Sequence, residues 1–189
     1  MENKRDRVIF ICYIRAFLAV ATVIALMQPL ADTPPLFGNP PDEHARFLVP
    51  KYIYEHGVIP TGAEEEIRIP SYGFSYGIYN VFPYIVQGYV MRFVGLFTDS
   101  MQGLLYAARF VNVISGCMMA VLVYLISKKL FDNSAFRWIF CFGIMFLPQN
   151  LFMHTYVNTD SMCLLSTAMI VYAWVGRTKR VIATVISCG

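Results

Sequence analysis

The sequence predicts an all-α, polytopic membrane protein, and three observations carry that expectation. Of 189 residues, 57% are hydrophobic and 14% charged, where a soluble domain carries ~25% charge; mean hydropathy is +0.54. Apolar runs recur at about residues 8–30, 104–127, 136–151 and 161–175, with a fifth starting at 181, several of them near the ~20 residues a span needs. Basic residues cluster at the ends of these runs: Lys4/Arg5/Arg7, Lys128/Lys129/Arg137 and Arg177/Lys179/Arg180. Such clusters set orientation in a membrane. A net charge of +3 gives no basis for nucleic-acid binding. The five cysteines lie in apolar segments without CxxC or Cys/His ligand spacing, so they read as small buried hydrophobes.

The first run, 8–30, follows a basic N-terminus as a signal peptide would, but it exceeds the ~7–15 residues of an h-region. It reads as a retained span, with Arg15 facing protein or snorkelling to the interface. Residues 31–103 form a long loop, polar and turn-rich as far as about residue 80, and no internal repeat occurs. Within the loop, 42–56 reads as a short amphipathic helix. Asn39 can cap it, Pro40 suits its first position, and the helix dipole favours Asp42 and Glu43 in its first turn. Pro50 should bend it and Gly57 end it. Glu64, Glu65 and Glu66 read as a solvated loop tip.

The segment 81–97 is apolar but holds Pro83, Gln87 and Arg92. If it spanned, Lys128, Lys129 and Arg137 would lie outside. Laid along the outer surface as an interfacial helix, it leaves all three basic clusters inside. The expected topology is a single membrane domain over 1–189. Its N-terminus is cytoplasmic, a long outer loop carries two surface helices, and three further spans run inward, outward and inward. Asp42, Glu43 and Asp160 then share the outer face.

Each candidate site residue has two readings. Asp42 and Glu43 are either first-turn acids of a surface helix or carboxylates acting on an acceptor hydroxyl. Adjacent helical residues point about 100° apart, so they need not share a task, and Glu43 is placed to contact Arg46. Asp160 is either a helix cap or a second carboxylate converging on Asp42; a divalent metal, Mg or Mn, would suit Asp42 plus Asp160. His154 reads as an interfacial hydrogen-bonder. Arg46, Lys51, Arg92 and Arg109 either snorkel to headgroups or bind a phosphate; Arg92 and Arg109 stand within apolar stretches and need partners. Tyr72, Phe74, Tyr76, Tyr79 and Tyr84 form an interfacial belt or line a sugar or lipid groove.

Asp42-Glu43-His44-Ala45-Arg46-Phe47 after a first span resembles the GT-C glycosyltransferases. These include protein mannosyltransferases, the aminoarabinose transferases that modify lipid A, and an uncharacterised bacterial family of similar membrane proteins. The mannosyltransferases have an Asp-Glu-x-His-Phe-like motif, with the His one place later than here. Pro40-Pro41-Asp42-Glu43 is similar to the Pro-Pro-Asp-Glu-x-x-His of the uncharacterised family, whose His falls at Arg46. Ala107-Ala108-Arg109-Phe110 and Asn158-Thr159-Asp160-Ser161 resemble the start of the second span and a later outer loop with a second acid.

The resemblance implies a GT-C-like N-terminal half with two outer-face juxtamembrane helices in a multi-pass protein of the bacterial plasma membrane. It implies inverting transfer of a sugar from a polyprenyl-phosphate carrier to a cell-envelope acceptor. Asp42 would be the catalytic carboxylate, with Glu43 and Asp160 beside it, and Arg46, Arg92, Arg109 and Tyr76 would bind the lipid phosphate or substrate. Membrane lipids would surround the chain. The family core is longer, and the chain stops in its fifth segment, so a second polypeptide could complete the fold. The alternative is a non-catalytic subunit, a lipid-carrier-binding protein or a truncated remnant of such a transferase. A small transporter fits less well, because its ionisable residues would lie at mid-membrane.

Overall fold

A computed structural model of the chain describes residues 4–27, 42–70 and 73–188, with 177–188 as backbone alone. Its elements are helical: α1 (Lys4–Met27), α2 (Glu43–His56), α3 (Phe82–Val94), α4 (Met101–Leu130), α5 (Ser134–Met145), α6 (Pro148–Met153) and α7 (Asp160–Cys188), plus short 3-10 turns at Glu65–Ile67 and Tyr76–Ile78. Among the described residues, α1 and α4 are long and apolar enough to cross a membrane; α5 and the stretch Asp160–Gly176 of α7 are shorter apolar helices.

α4 is the hub. α1 runs antiparallel to it: the Tyr13 hydroxyl donates to the Ala120 carbonyl (3.4 Å), and nearer the other end Arg109 donates to the Ala25 carbonyl (2.7 Å). Between them Phe17 sits over Gly116, where a Cβ would come within 2.7 Å of its ring. α7 runs parallel to α4, with Ser161 donating to the Asn112 carbonyl at one end and Lys129 to the Tyr172 carbonyl at the other. α5 and α6 make the return. Tyr13, Phe17, Tyr124, Trp138, Cys141 and Met145 fill the space among them.

The contacts gather charge at one end of this bundle. Asp6 accepts from Ser134 (2.7 Å) and lies 3.8 Å from Arg137, so the basic residues around Asp6 share an end with the α4–α5 turn, which carries Lys128 and Lys129. At the opposite end, α2 and α3 pack on each other and on the first turns of α4, around Phe47, Val49, Ile53, Tyr84, Met91 and Leu105. Gly88 permits the close approach: a Cβ there would stand 2.7 Å from Ile53 Cβ.

Several expectations change. The segment 136–151 is two helices. Leu147 is extended (φ −56°, ψ 127°) because the Pro148 ring disfavours helical backbone in the residue before it. The segments 161–175 and 181 onward are one continuous helix. The helix expected at 81–97 closes at Val94; at 13 residues it is ~20 Å long, short of a bilayer core. Arg15 faces away from the bundle on an exposed face. Asn39 and Pro40 lie outside the described residues, and the residue before α2 is Asp42. Gly57 ends α2 as expected, with φ 74° and its amide donating to Ile53. Pro50 is accommodated inside the helix.

Candidate functional site

Asp42 is the non-glycine residue with positive φ among those described (φ 60°, ψ 5°). Side chains with a Cβ avoid this left-handed region, Asp less than most. The turn brings its carboxylate to Tyr76, whose hydroxyl donates to Oδ2 at 2.9 Å. One turn into α2, the Arg46 guanidinium lies over the Tyr76 ring, 5.0 Å from its centroid, and 3.5 Å from the Asp160 carboxylate at the start of α7. Arg46, Tyr76, Tyr79, Tyr84, Thr159 and Asp160 line a cleft of about 360 Å³, together with Asn80. Asp42 closes its side through Tyr76. Four residues named from sequence, Asp42, Arg46, Tyr76 and Asp160, therefore meet.

The electrostatics keep Arg46 and Tyr84 protonated. Burial opposes the charge on Arg46, but the Tyr84 hydroxyl and the Asp160 carboxylate outweigh it and raise its pKa. Burial pushes the Tyr84 hydroxyl up from its ordinary value. His44, half-buried in the first turn of α2, is held below the usual imidazole range, first by burial and then by the Lys51 charge. The two carboxylates proposed for a divalent metal each have a protein partner: Tyr76 donates to Asp42, and Arg46 lies at Asp160.

Glu43 behaves differently from its neighbour. It is 5% exposed and chelates Arg109, with Nε–Oε1 2.8 Å and Nη2–Oε2 2.5 Å. Its Oε1 also accepts the Val157 amide at 2.8 Å. Arg109 in turn holds the Ala25 carbonyl. This buried fork joins α1, α2, α4 and the α6–α7 connection. The partner of Glu43 is thus Arg109 rather than Arg46, and the fork turns both away from the cleft. Arg92 is also elsewhere, donating to the Ile53 and Tyr54 carbonyls at the C-terminus of α2, where a cation suits the helix dipole.

Beneath the cleft lies a buried amide network. Gln87 donates to Asn112 Oδ1, and Asn112 donates to the Tyr156 and Asn158 carbonyls. Asn158 Oδ1 accepts the Ser161 amide and so caps α7, leaving Asp160 to reach Arg46. His154 is fully buried, not interfacial; its Nδ1 meets Ser161 Oγ at 2.7 Å and its ring packs against Phe17. The glutamate tip is ordered by its own carboxylates. Glu64 accepts from the Thr61 and Gly62 amides, Glu66 pairs with His56, and Glu65 with Arg68. Lys51 pairs with Glu55. Tyr72 lies outside the described residues.

Of the two readings for Tyr84, interfacial belt or groove lining, its place in the cleft wall and 1% exposure favour the second. The signal for this was present: Tyr84, Gln87, Gly88 and Met91 follow the i, i+3, i+4, i+7 spacing of a buried helix face.

Residues 39–187 match the protein family described as "Predicted membrane protein (DUF2142)". The chain belongs to this DUF2142 family. No curated protein and no solved structure matches it. The DUF2142 match covers the cleft, the Glu43–Arg109 pair and helices α2 to α7, so this apolar bundle is that of a membrane protein.

Proposed function

We propose that this DUF2142 protein is a multi-pass GT-C-like glycosyltransferase of the bacterial plasma membrane, acting on the outer face with its N-terminus in the cytoplasm. It moves a sugar from a polyprenyl-phosphate carrier to a cell-envelope acceptor. Asp42 takes the proton from an acceptor hydroxyl as that oxygen bonds to the anomeric carbon. The bond from that carbon to the carrier phosphate breaks, and its electron pair leaves on the phosphate. Attack opposite the leaving group inverts the centre. Arg46, rather than Arg92 or Arg109, balances the departing charge.

One observation carries this reading. A carboxylate on left-handed backbone is bound to Tyr76, which with an arginine lines a cleft, at the end of an apolar bundle opposite its basic cluster. Backbone strain of this kind gathers at functional sites. An apolar groove of about 480 Å³ between the start of α3 and α7, lined by Phe82, Pro83, Met162, Leu165 and Met169, meets the cleft at Asn80. It suits a lipid tail. The same groove supports the second reading, a protein that binds the lipid carrier without catalysis.

Asp42→Asn separates them. Asn tolerates the left-handed turn, so the variant should insert and fold normally. Sugar transfer in membranes should be lost while carrier binding persists. Undiminished transfer would remove Asp42 from catalysis. Because the cleft's cation is Arg46, chelation with EDTA should leave transfer unchanged.

A further inference from the structure

The C-terminal end of α2 carries a second group of ligating side chains, about 20 Å along the helix from Asp42. Glu55 and His56 close the helix, and Glu66 stands in the 3-10 turn Glu65–Ile67. His56 Nε2 lies 2.8 Å from Glu66 Oε2. One ligand atom from each of Glu55, His56 and Glu66 lies within 4.8 Å of the other two. Both segments are held by contacts of their own. The His56 ring rests against Tyr52, with centroids 4.3 Å apart. Ile67, which is buried, roots the turn, and Glu64 fastens the chain before it by accepting from the Thr61 and Gly62 amides. Glu55 and Glu66 line a pocket of about 280 Å³ beside Tyr52. Lys51 reaches Glu55 there at 3.6 Å, an exposed pair of a kind that holds little energy and is easily displaced.

We propose that Glu55, His56 and Glu66 bind a divalent transition-metal ion of the zinc class, with water completing its coordination. Zinc holds imidazole and carboxylate ligands at ~2.0–2.2 Å in a tetrahedron, which sets the ligand atoms roughly 3.4 Å apart. Small rotations of three exposed side chains reach that spacing from the one observed. The imidazole decides the class of metal: magnesium and calcium take oxygen ligands, whereas imidazole suits zinc. Two carboxylates balance the charge of the ion, and the carbonyl end of a helix favours a cation. His56 and Glu66 come from two elements, ten residues apart, so the ion ties the end of α2 to the loop that follows it. It stabilises the fold at that point and takes no part in the cleft, which lies at the other end of α2.

The test uses the full chain in detergent micelles, stripped of metal with EDTA, dialysed, and titrated with zinc chloride or magnesium chloride. Calorimetry should show one zinc ion bound per chain. Zinc should also raise the unfolding temperature, as a ligand of the folded state does, and magnesium should do neither. Even an outer-shell partner of a metal ligand is worth about 10–100-fold in affinity. His56→Ala should therefore weaken zinc binding by at least about a hundredfold, and Glu66→Gln by at least about tenfold. Without zinc, Glu66→Gln should unfold at the wild-type temperature, because it keeps the shape of an exposed side chain; with zinc, it should lose most of the wild-type rise. Equal zinc affinity in wild type and His56→Ala would place the ion on other residues and overturn the site. An equal response to magnesium would overturn the role of the imidazole, and no zinc binding by wild type would overturn the proposal outright.

Discussion

Asp42 holds a backbone conformation that costs an L residue about 1–2 kcal/mol, and Glu43, its neighbour, holds the fold together. The sequence presents them as a pair, yet one is bound to Tyr76 at the cleft and the other is buried in a bidentate bond to Arg109. Truncating one partner of a buried ion pair strands the other charge, so Glu43→Ala should destabilise the chain by about 3–5 kcal/mol. Combining it with Arg109→Leu should restore much of that loss, because no buried charge is then unmatched. Thermal unfolding in detergent reads both. If Glu43→Ala unfolds like wild type, the fork is not structural. The motif Asp-Glu was legible as important; which acid does what was not, because that depends on Arg109, 66 positions away.

At the scale of elements, α2 and α3 are the platform that presents the cleft, and their approach depends on Gly88. Gly88→Val would drive a side chain into Ile53 and the Pro50 carbonyl. Overpacking of this kind costs about 1–3 kcal/mol, and it should weaken ligand binding by shifting Arg46 and Tyr84 together. His44 adds a pH dependence to the same platform. Its pKa is depressed in the folded state, so below the unfolded value of ~6.5 the unfolded chain binds more protons. Stability is full above that pH and falls as pH drops toward the folded pKa. His44→Gln should flatten the decline in unfolding temperature between pH 7 and 5; an unchanged slope would show that His44 does not carry it. Helix boundaries followed local rules wherever a proline or glycine wrote them, as at Gly57. The break at Leu147 was missed because hydropathy continues across it, whereas the Pro148 ring acts only on backbone.

For the whole molecule, contacts between α1 and α5 bring the first basic residues to the same end as Lys128, Lys129 and Arg137, and the cleft lies at the other. Charge patterning alone suggested this separation, with 81–97 kept out of the membrane. Single cysteines placed at Ala63 and at Asp132, in a background with the native cysteines replaced, should differ in labelling by a membrane-impermeant thiol reagent on intact cells. Ala63→Cys should react and Asp132→Cys should not. Equal labelling would refute the proposed topology.

The sequence by itself determined the helical membrane class, the basic end and the identity of Asp42, Arg46, Tyr76 and Asp160 as site candidates, since composition, charge clusters and local motifs are properties of short stretches. Only the tertiary structure decided that Arg109 and Arg92 are occupied elsewhere, that His154 is interior, and that Tyr84 joins Arg46 at the cleft. Those facts depend on which helices meet, and a buried polar group is defined by the partners that packing brings to it.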